Sequence, residues 1–304
     1  EDSKDDAADI AVLQKLFTLR QQRIPPFKDT KISASWNGLM IEELASAGII
    51  FGNVSYVDAA QKAADFIVAH MVSGDGSVSS IYGKSDSGFL ADYANMVCAL
   101  VRLYTATLEI AYLRHALSIA DQMIQSFFEY GEDRFYMTES GGSELFMRPR
   151  DEYDGAMPSG AARAMVALAQ LVHLTGKEKL KKVLESAVAA FISTAENSPA
   201  SHVHFLSVLL MQLLPHSQIV IVARRDDAEA MSAYRSITSR YAPFSSVFFY
   251  DQSVDMDELI PELQSYRSDR HFAGYVCENF ACSSPVYSPK ELLIRLNLDE
   301  NGTV

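Results

Sequence analysis

Residues 88–128, GFLADYANMVCALVRLYTATLEIAYLRHALSIADQMIQSFF, contain two helical patterns of different kinds. In the first half, from Phe89 to Tyr104, apolar side chains recur at three- and four-residue steps around much of the helix. The second half, from Glu109 onward, carries one apolar face and one charged face. The stretch therefore predicts a helical hairpin whose first helix is buried and whose second helix covers it from outside.

The same order of patterns recurs on both sides of this hairpin. An apolar helix is followed by an amphipathic one at 35–52 and 56–71, and again at 158–174 and 176–192, while 202–214 opens a fourth pair. The period of roughly 45 to 65 residues lies within or just above the range that marks repeat architectures. We therefore predict a mainly α fold, an incomplete (α/α) toroid in which an inner ring of helices is wrapped by an outer ring. About eight helices precede Pro215, whereas a closed ring of six hairpins takes about twelve.

The pattern changes after Pro215. Short β-branched and aromatic runs, including QIVIVAR and FAGYVC, alternate with helical segments up to Cys282. Alternating strands and helices predict a small, mainly parallel β/α unit. We expect a helical region at 1–215 and this C-terminal unit, with its tail, at 216–304. No glycine follows QIVIVAR in ARRDDAEA, so a dinucleotide site is not expected.

Composition excludes several classes of function. The net charge is −13, which opposes binding to nucleic acid or to an anionic membrane surface. No apolar run reaches the ~18 residues that span a bilayer. The three cysteines are too few for a disulfide framework and predict a reducing, cytoplasmic compartment in which Cys277 and Cys282 stay reduced. We expect neither a cofactor nor a metal.

Five ordered motifs carry a family resemblance, and together they extend over nearly the whole chain. They are TLRQQRIPPFKDTKISASWNGLMI (18–41), GFLADYA (88–94), FMRPRDEYDGAMPSG (146–160), IVIVA (219–223) and YVCENFAC (275–282). In this order they resemble the C-terminal half of YyaL-like proteins. These are the thioredoxin-fused, spermatogenesis-associated relatives of the six-hairpin glycosidase and N-acylglucosamine 2-epimerase toroids. The family usually has Ser-Gly-Asn where this chain has Ser159-Gly160-Ala161.

The resemblance implies an (α/α) toroid with a role in carbohydrate metabolism. One hypothesis is a glycoside hydrolase, a sugar epimerase or a fragment of one, with a sugar or polyol as ligand. The alternative is a non-catalytic helical scaffold that binds a thioredoxin-like domain, the missing N-terminal half or another partner domain.

Polar residues at the starts of the inner helices are the candidate site. Trp36 either offers a flat face for a sugar ring or is a core or hairpin-contact residue, and Asn37 can bond hydroxyl groups. Asp92, followed by Tyr93, serves either as a helix cap or as a catalytic carboxylate. Substrate binding is therefore predicted for Trp36, Asn37 and Tyr93.

The loop before the third inner helix carries the densest charge. Arg148, Asp151 and Asp154 either pin this loop or contact a substrate, and Ser159 is a cap or a substrate contact. Glycoside hydrolysis requires two carboxyl groups across the sugar, and Asp92 with Asp154 is the predicted catalytic pair. His202 and His204 are expected in a solvated loop or at the mouth of the cleft.

Overall fold

The computed structural model describes residues 3–84, 87–141, 146–240, 242–256, 258–278 and 281–298. The chain divides into two compact units, Glu1–Lys31 and Ile32–Val304. The first unit contains helix α1, Ser3–Gln21, and the second contains all the other elements below. The predicted boundary at residues 215 and 216 falls inside the second unit and stays a proposal, and the tail after residue 298 lies outside the described residues.

Seven helices of the second unit form the predicted hairpin array. They are α2 (Ala34–Phe51), α3 (Val54–Met71), α4 (Leu90–Thr107), α5 (Ile110–Phe127), α6 (Gly160–Thr175), α7 (Glu178–Asn197) and α8 (Val203–Leu213). Helices α2, α4, α6 and α8 pack on one another in this order, and α3, α5 and α7 pack on α2, α4 and α6 respectively. The chain is therefore mainly α, an incomplete (α/α) toroid with an inner and an outer row of helices.

Burial follows the apolar patterning of the sequence. Helix α4 is buried along almost its whole length, and α6 is buried from Gly160 to Ala169. The outer helices α5 and α7 bury one face only, as their amphipathic pattern predicts. None of the described helices is both long enough and apolar enough to cross a membrane.

Close contacts between helices depend on small residues. A Cβ atom added to Gly38 on α2 would lie 2.8 Å from the backbone carbon of Asn95 on α4. Glycine at this position lets the two inner helices approach closely, which brings their starts together.

The remaining elements build the small C-terminal α/β unit. The larger sheet has strands β3 (Ser217–Val222), β4 (Ser245–Tyr250), β5 (Ala273–Glu278) and β6 (Ala281–Cys282), while the hairpin β1–β2 (Phe128–Glu129 and Arg134–Phe135) follows α5. Helices α9 (Ala228–Thr238) and α10 (Pro289–Arg295) pack on each other, and each also contacts the sheet. One sheet face shares a core with the helical array through Val220 and Phe248, and the opposite face packs on α9 and α10.

The expectation of a mainly parallel sheet is wrong. The strand order is β4-β3-β5-β6, and only β3 and β4 are parallel. Helix α9 returns the chain for a parallel β4, as the pattern predicted. Between β4 and β5 the only helix of the described residues is the short 3-10 helix Pro261–Tyr266, and β5 runs antiparallel to β3.

The expectation of two reduced thiols near the sheet is also wrong. Cys277 and Cys282 face each other across β5 and β6 and form a disulfide, while Cys98 is a free, buried thiol. Antiparallel pairing places the two cysteines directly opposite each other, which a count of cysteines does not reveal.

Candidate functional site

The starts of the inner helices meet at one end of the array, and Asp92 joins two of them. Its Oδ1 accepts a hydrogen bond from the backbone N–H of Ser35 at 2.9 Å, and its Oδ2 accepts one from the N–H of Phe89 at 2.9 Å. Burial raises the pKa of the Asp92 carboxyl, and these N–H groups oppose that rise. Asp92 therefore caps its own helix and fastens the start of α2 to it.

Asp154 performs the same task for α6 and α8. Its Oδ1 accepts hydrogen bonds from the N–H and the hydroxyl of Ser159, both at 2.8 Å, and its Oδ2 accepts one from the N–H of His204 at 2.7 Å. Asp151 accepts from the N–H of Gly160 at 2.7 Å. Ser159 is itself buried and caps α6 through the N–H of Ala162. All three side chains hold helix starts in place.

The other predicted site residues lie in different surroundings. Trp36 is 61% exposed, which excludes the core alternative, and the Asn37 amide donates to the Ser33 carbonyl at 2.8 Å. Tyr93 is fully buried, and its hydroxyl has no hydrogen-bond partner among the described residues. The structure thus places Trp36 and Asn37 beside the junction made by Asp92, with Tyr93 beneath the surface.

Arg148 is committed to the β1–β2 hairpin and its surroundings. Its guanidinium donates to the carbonyl groups of Thr138 and Ser126 and lies 4.3 Å from the centre of the Tyr136 ring. With Glu129 it forms an ion pair of 3.8 Å. The structure gives no contact that joins Arg148 to Trp36 or Asp92.

A second group of polar side chains contains one residue from each of the four inner helices. We call Glu42 (α2), Asn95 (α4), Arg163 (α6) and His204 (α8) the inner-helix cluster. Arg163 donates from Nη2 to Glu42 Oε2 at 2.5 Å and from Nε to Asn95 Oδ1 at 2.7 Å. The Asn95 amide donates to the Ser35 hydroxyl at 2.8 Å, and the N–H of Ser35 is bound by Asp92, so the cluster is linked to the junction made by Asp92.

The Arg163 guanidinium and the His204 ring of the inner-helix cluster are largely shielded from water. Arg163 is 6% exposed, and a buried guanidinium is costly unless a carboxylate such as Glu42 compensates it. Burial lowers the pKa of His204 and the nearby Arg163 charge lowers it further, so the ring is neutral near pH 7. His204 Nε2 is buried and has no hydrogen-bond partner among the described residues.

The cluster is absent from the sequence-based prediction, although one signal points to it. Arg163 is the one charged residue between Gly160 and Thr175 in an otherwise Ala- and Leu-rich helix. The expectation that His202 and His204 lie in a solvated loop is wrong, because His202 is buried and His204 stands in the first turn of α8. A contact between residues 42 and 163 has no local signature.

Metal binding has no support in the part of the chain that the structure describes. No group of three or more His, Cys, Asp and Glu side chains there could hold a metal ion.

The fold and the cluster together define a class of protein, an open (α/α) hairpin array with charged groups on its inner helices. Within this class the chain is similar to spermatogenesis-associated protein 20 of Homo sapiens and of Rattus norvegicus, with 29% identity over 296 residues in each case. An uncharacterized protein of Caenorhabditis elegans is 26% identical over 290 residues. These relatives confirm the resemblance to spermatogenesis-associated proteins. The matches cover 92% or 91% of this chain but only 38% or 39% of each relative.

Solved structures with a related arrangement of helices are enzymes that act on carbohydrates. Cellobiose 2-epimerase of Bacillus thermoamylovorans is 14% identical, with a TM-score of 0.46 over 55% of this chain and 46% of that chain. A family 76 α-mannanase of Bacteroides thetaiotaomicron is 13% identical, with a TM-score of 0.48 over 73% and 63% of the two chains. Similarity at this level carries no information about activity. No protein-family model matches the chain.

Proposed function

We propose that the chain binds a sugar or polyol at the inner-helix cluster and that its chemistry is proton transfer of the isomerase or epimerase kind. The observation that carries the proposal is the buried Glu42–Arg163–Asn95 network, with the unpartnered Nε2 of His204 beside it. A carboxylate and a neutral imidazole can both exchange protons with a bound substrate.

The residues have distinct roles in this proposal. A proton is removed from the carbon beside the carbonyl group of an open-chain sugar by Glu42 or His204, and the other residue returns a proton to that carbon. The electron pair of the C–H bond forms a C=C bond, the π pair of the carbonyl group moves onto its oxygen, and Arg163 stabilises the resulting enediolate charge. Trp36 and Asn37 remain the proposed sugar contacts at the surface.

Hydrolysis is less well supported by the geometry. It requires two carboxyl groups that are free to face a glycosidic bond. Asp92 and Asp154 each accept hydrogen bonds from backbone N–H groups of two helix starts, which occupies both oxygens of both carboxylates.

Binding is tested through Trp36, since it is the only tryptophan of the chain and is exposed. Titration with glucose, mannose and cellobiose is expected to change its fluorescence in a saturable way. His204→Gln keeps the backbone contact to Asp154 and is expected to weaken the affinity about tenfold, whereas the exposed Glu229→Gln on α9 is the matched control. Absence of a saturable change with all three sugars would contradict the proposal.

A second candidate function has an observation of its own. Trp36, Met40 and Phe51 form an exposed apolar stripe on α2, with exposures of 61%, 58% and 75%. Exposed apolar side chains on one face of a helix are typical of a protein-binding site, as the scaffold alternative requires. Titration of the wild-type chain and of Met40→Lys with purified thioredoxin tests this function. A complex that forms with the wild-type chain and is lost in Met40→Lys would favour the scaffold. The absence of a complex with both forms of the chain would oppose it.

A further inference from the structure

A cavity of about 460 Å³ lies between the C-terminal halves of the inner helices and the larger sheet. Val101, Arg102 and Thr105 of α4 and Gln170, His173 and Leu174 of α6 form one wall, and residues of β3, β4 and the end of α9 form the other. This volume falls within the range of small-molecule sites. No member of the inner-helix cluster lines this cavity.

The charge of the cavity is opposite to that of the chain. The whole chain has 39 Asp and Glu against 26 Lys and Arg, yet none of the 19 described residues that line the cavity is acidic. Arg102 and Arg240 line it, and so do His173 and His216. Glu42 and Glu43 act electrostatically on Arg102 from outside the lining. An acid-free space with two guanidinium groups in an acidic protein favours an anionic occupant.

Several polar atoms in the cavity are without protein partners. Gln170 Oε1 and His216 Nδ1 are buried and have no hydrogen-bond partner among the described residues. Arg102 uses Nε to donate to the Ser46 hydroxyl at 2.8 Å, and no hydrogen bond to another described residue engages its two terminal nitrogens. Buried polar atoms normally have partners, and the cavity leaves these without one. An anion's oxygen can accept from the terminal nitrogens of Arg102, from the Nδ1–H tautomer of His216 and from the NH₂ group of Gln170 once its amide is flipped.

The rest of the lining is apolar, with Val101, Leu174, Met211, Ile219 and Ile237 among its members. His173 and His216 stack with 3.9 Å between ring centres, and His216 Nε2 is hydrogen-bonded to the Ser246 hydroxyl at 2.8 Å. A ligand that matches both parts of the lining has an apolar body and a terminal anion.

We propose that this cavity is a binding site for a small organic anion, in which a carboxylate or phosphate group meets Arg102 and Arg240 and an apolar body packs against the helices. The anion is bound by charge-assisted hydrogen bonds from the two guanidinium groups. The apolar body contacts Leu174 and Met211.

Isothermal titration of the full chain with phenyl phosphate tests the proposal, with phenol and inorganic phosphate as comparisons. We expect saturable binding at one site, and weaker binding of phenol and of inorganic phosphate, since each lacks one half of the ligand. Arg102→Gln is expected to raise the Kd about tenfold or more, and Arg240→Gln about threefold because Arg240 is exposed. Arg235→Gln, an exposed arginine of α9 outside the cavity, is the matched control and is expected to leave the Kd unchanged.

Two outcomes would overturn the inference. One is the absence of saturable binding of phenyl phosphate to the wild-type chain. The other is an unchanged Kd in Arg102→Gln, provided that circular dichroism shows this variant to be folded. If Arg102→Gln does not fold, Arg240→Gln and Gln170→Ala take its place, and an unchanged Kd in both would be equally decisive against the site. Phenol binding as tightly as phenyl phosphate would also overturn the assignment of an anion.

Discussion

At the scale of single residues, the stacked pair His173 and His216 couples stability to pH. Burial, and secondarily the neighbouring His216, lowers the pKa of His173 from 6.5 to about 4. The unfolded chain therefore binds more protons at this position than the folded chain between these two values. The contribution of His173 to stability is fully present above its unfolded pKa of 6.5 and is lost as the pH falls towards 4.

We expect the contribution of His173 to the free energy of unfolding to be about 2 kcal/mol smaller at pH 5 than at pH 7. His173→Gln removes the group, and urea denaturation at both pH values should show a smaller difference than in the wild-type chain. The exposed His70→Gln on α3 is the control. An equal loss of stability between pH 7 and pH 5 in wild type and His173→Gln would contradict this explanation.

At the scale of helices and strands, the approach of α2 to α4 depends on Gly38. A methyl group at this position would meet the Asn95 backbone at 2.8 Å, so Gly38→Ala must separate the two inner helices. We expect a loss of about 1–3 kcal/mol in the free energy of unfolding, although alanine is the better helix former. Gly74→Ala, where the added Cβ meets nothing within 4 Å, is the matched control. A Gly38→Ala variant as stable as wild type would show that this contact is not tight.

The disulfide between β5 and β6 fixes the number of reactive thiols that we expect in the unfolded chain. With Cys277 and Cys282 bridged and Cys98 free, the chain unfolded without reductant should contain one reactive thiol out of three cysteines. Thiol titration in denaturant measures this number, and Cys98→Ala should reduce it to zero. Three reactive thiols in the wild-type chain would mean that the pair is reduced.

The hairpins could be predicted from sequence because each helix carries its own periodic signal. The apolar pattern from Phe89 to Tyr104 and the amphipathic pattern after Glu109 correspond to α4 and α5, and about eight helices were expected before Pro215, where α1 to α8 are found. The orientation of β5 could not be predicted in this way, since strand pairing is decided by contacts between distant segments.

The polar residues at helix starts could be predicted from local sequence, whereas the inner-helix cluster could not. Asp92 and Ser159 stand at helix starts, and a cap can be recognised from local sequence. Arg163 and Glu42 are 121 residues apart and meet only because α2, α4 and α6 pack side by side. A cluster that depends on such packing could not be derived from spacing along the chain.

At the scale of the whole molecule, the exposed stripe of α2 is expected to promote self-association. Water contact with Trp36, Met40 and Phe51 is unfavourable, and a second copy can cover them. Sedimentation velocity of the isolated chain should show dimers or larger species at high concentration, and Met40→Lys with Phe51→Lys should shift the distribution to monomer. Glu229→Lys on α9, an exposed position, changes the net charge by the same amount and is the control for charge. A monodisperse monomer in the wild-type chain at all concentrations would contradict this prediction.

In the function proposed above, the inner-helix cluster, and not the pair Asp92 and Asp154, acts on a sugar. The most direct measurement is proton NMR of glucose, mannose and cellobiose in D₂O, which follows exchange of the hydrogen beside the carbonyl group. Glu42→Gln and His204→Gln remove the proposed proton-transfer groups, whereas Asp92→Asn alters a cap and costs about 1–2 kcal/mol of stability. We predict exchange in the wild-type chain and in folded Asp92→Asn, and its loss in folded Glu42→Gln and His204→Gln. Exchange that survives in both cluster variants, or no exchange with any of the three sugars in the wild-type chain, would contradict the proposed function.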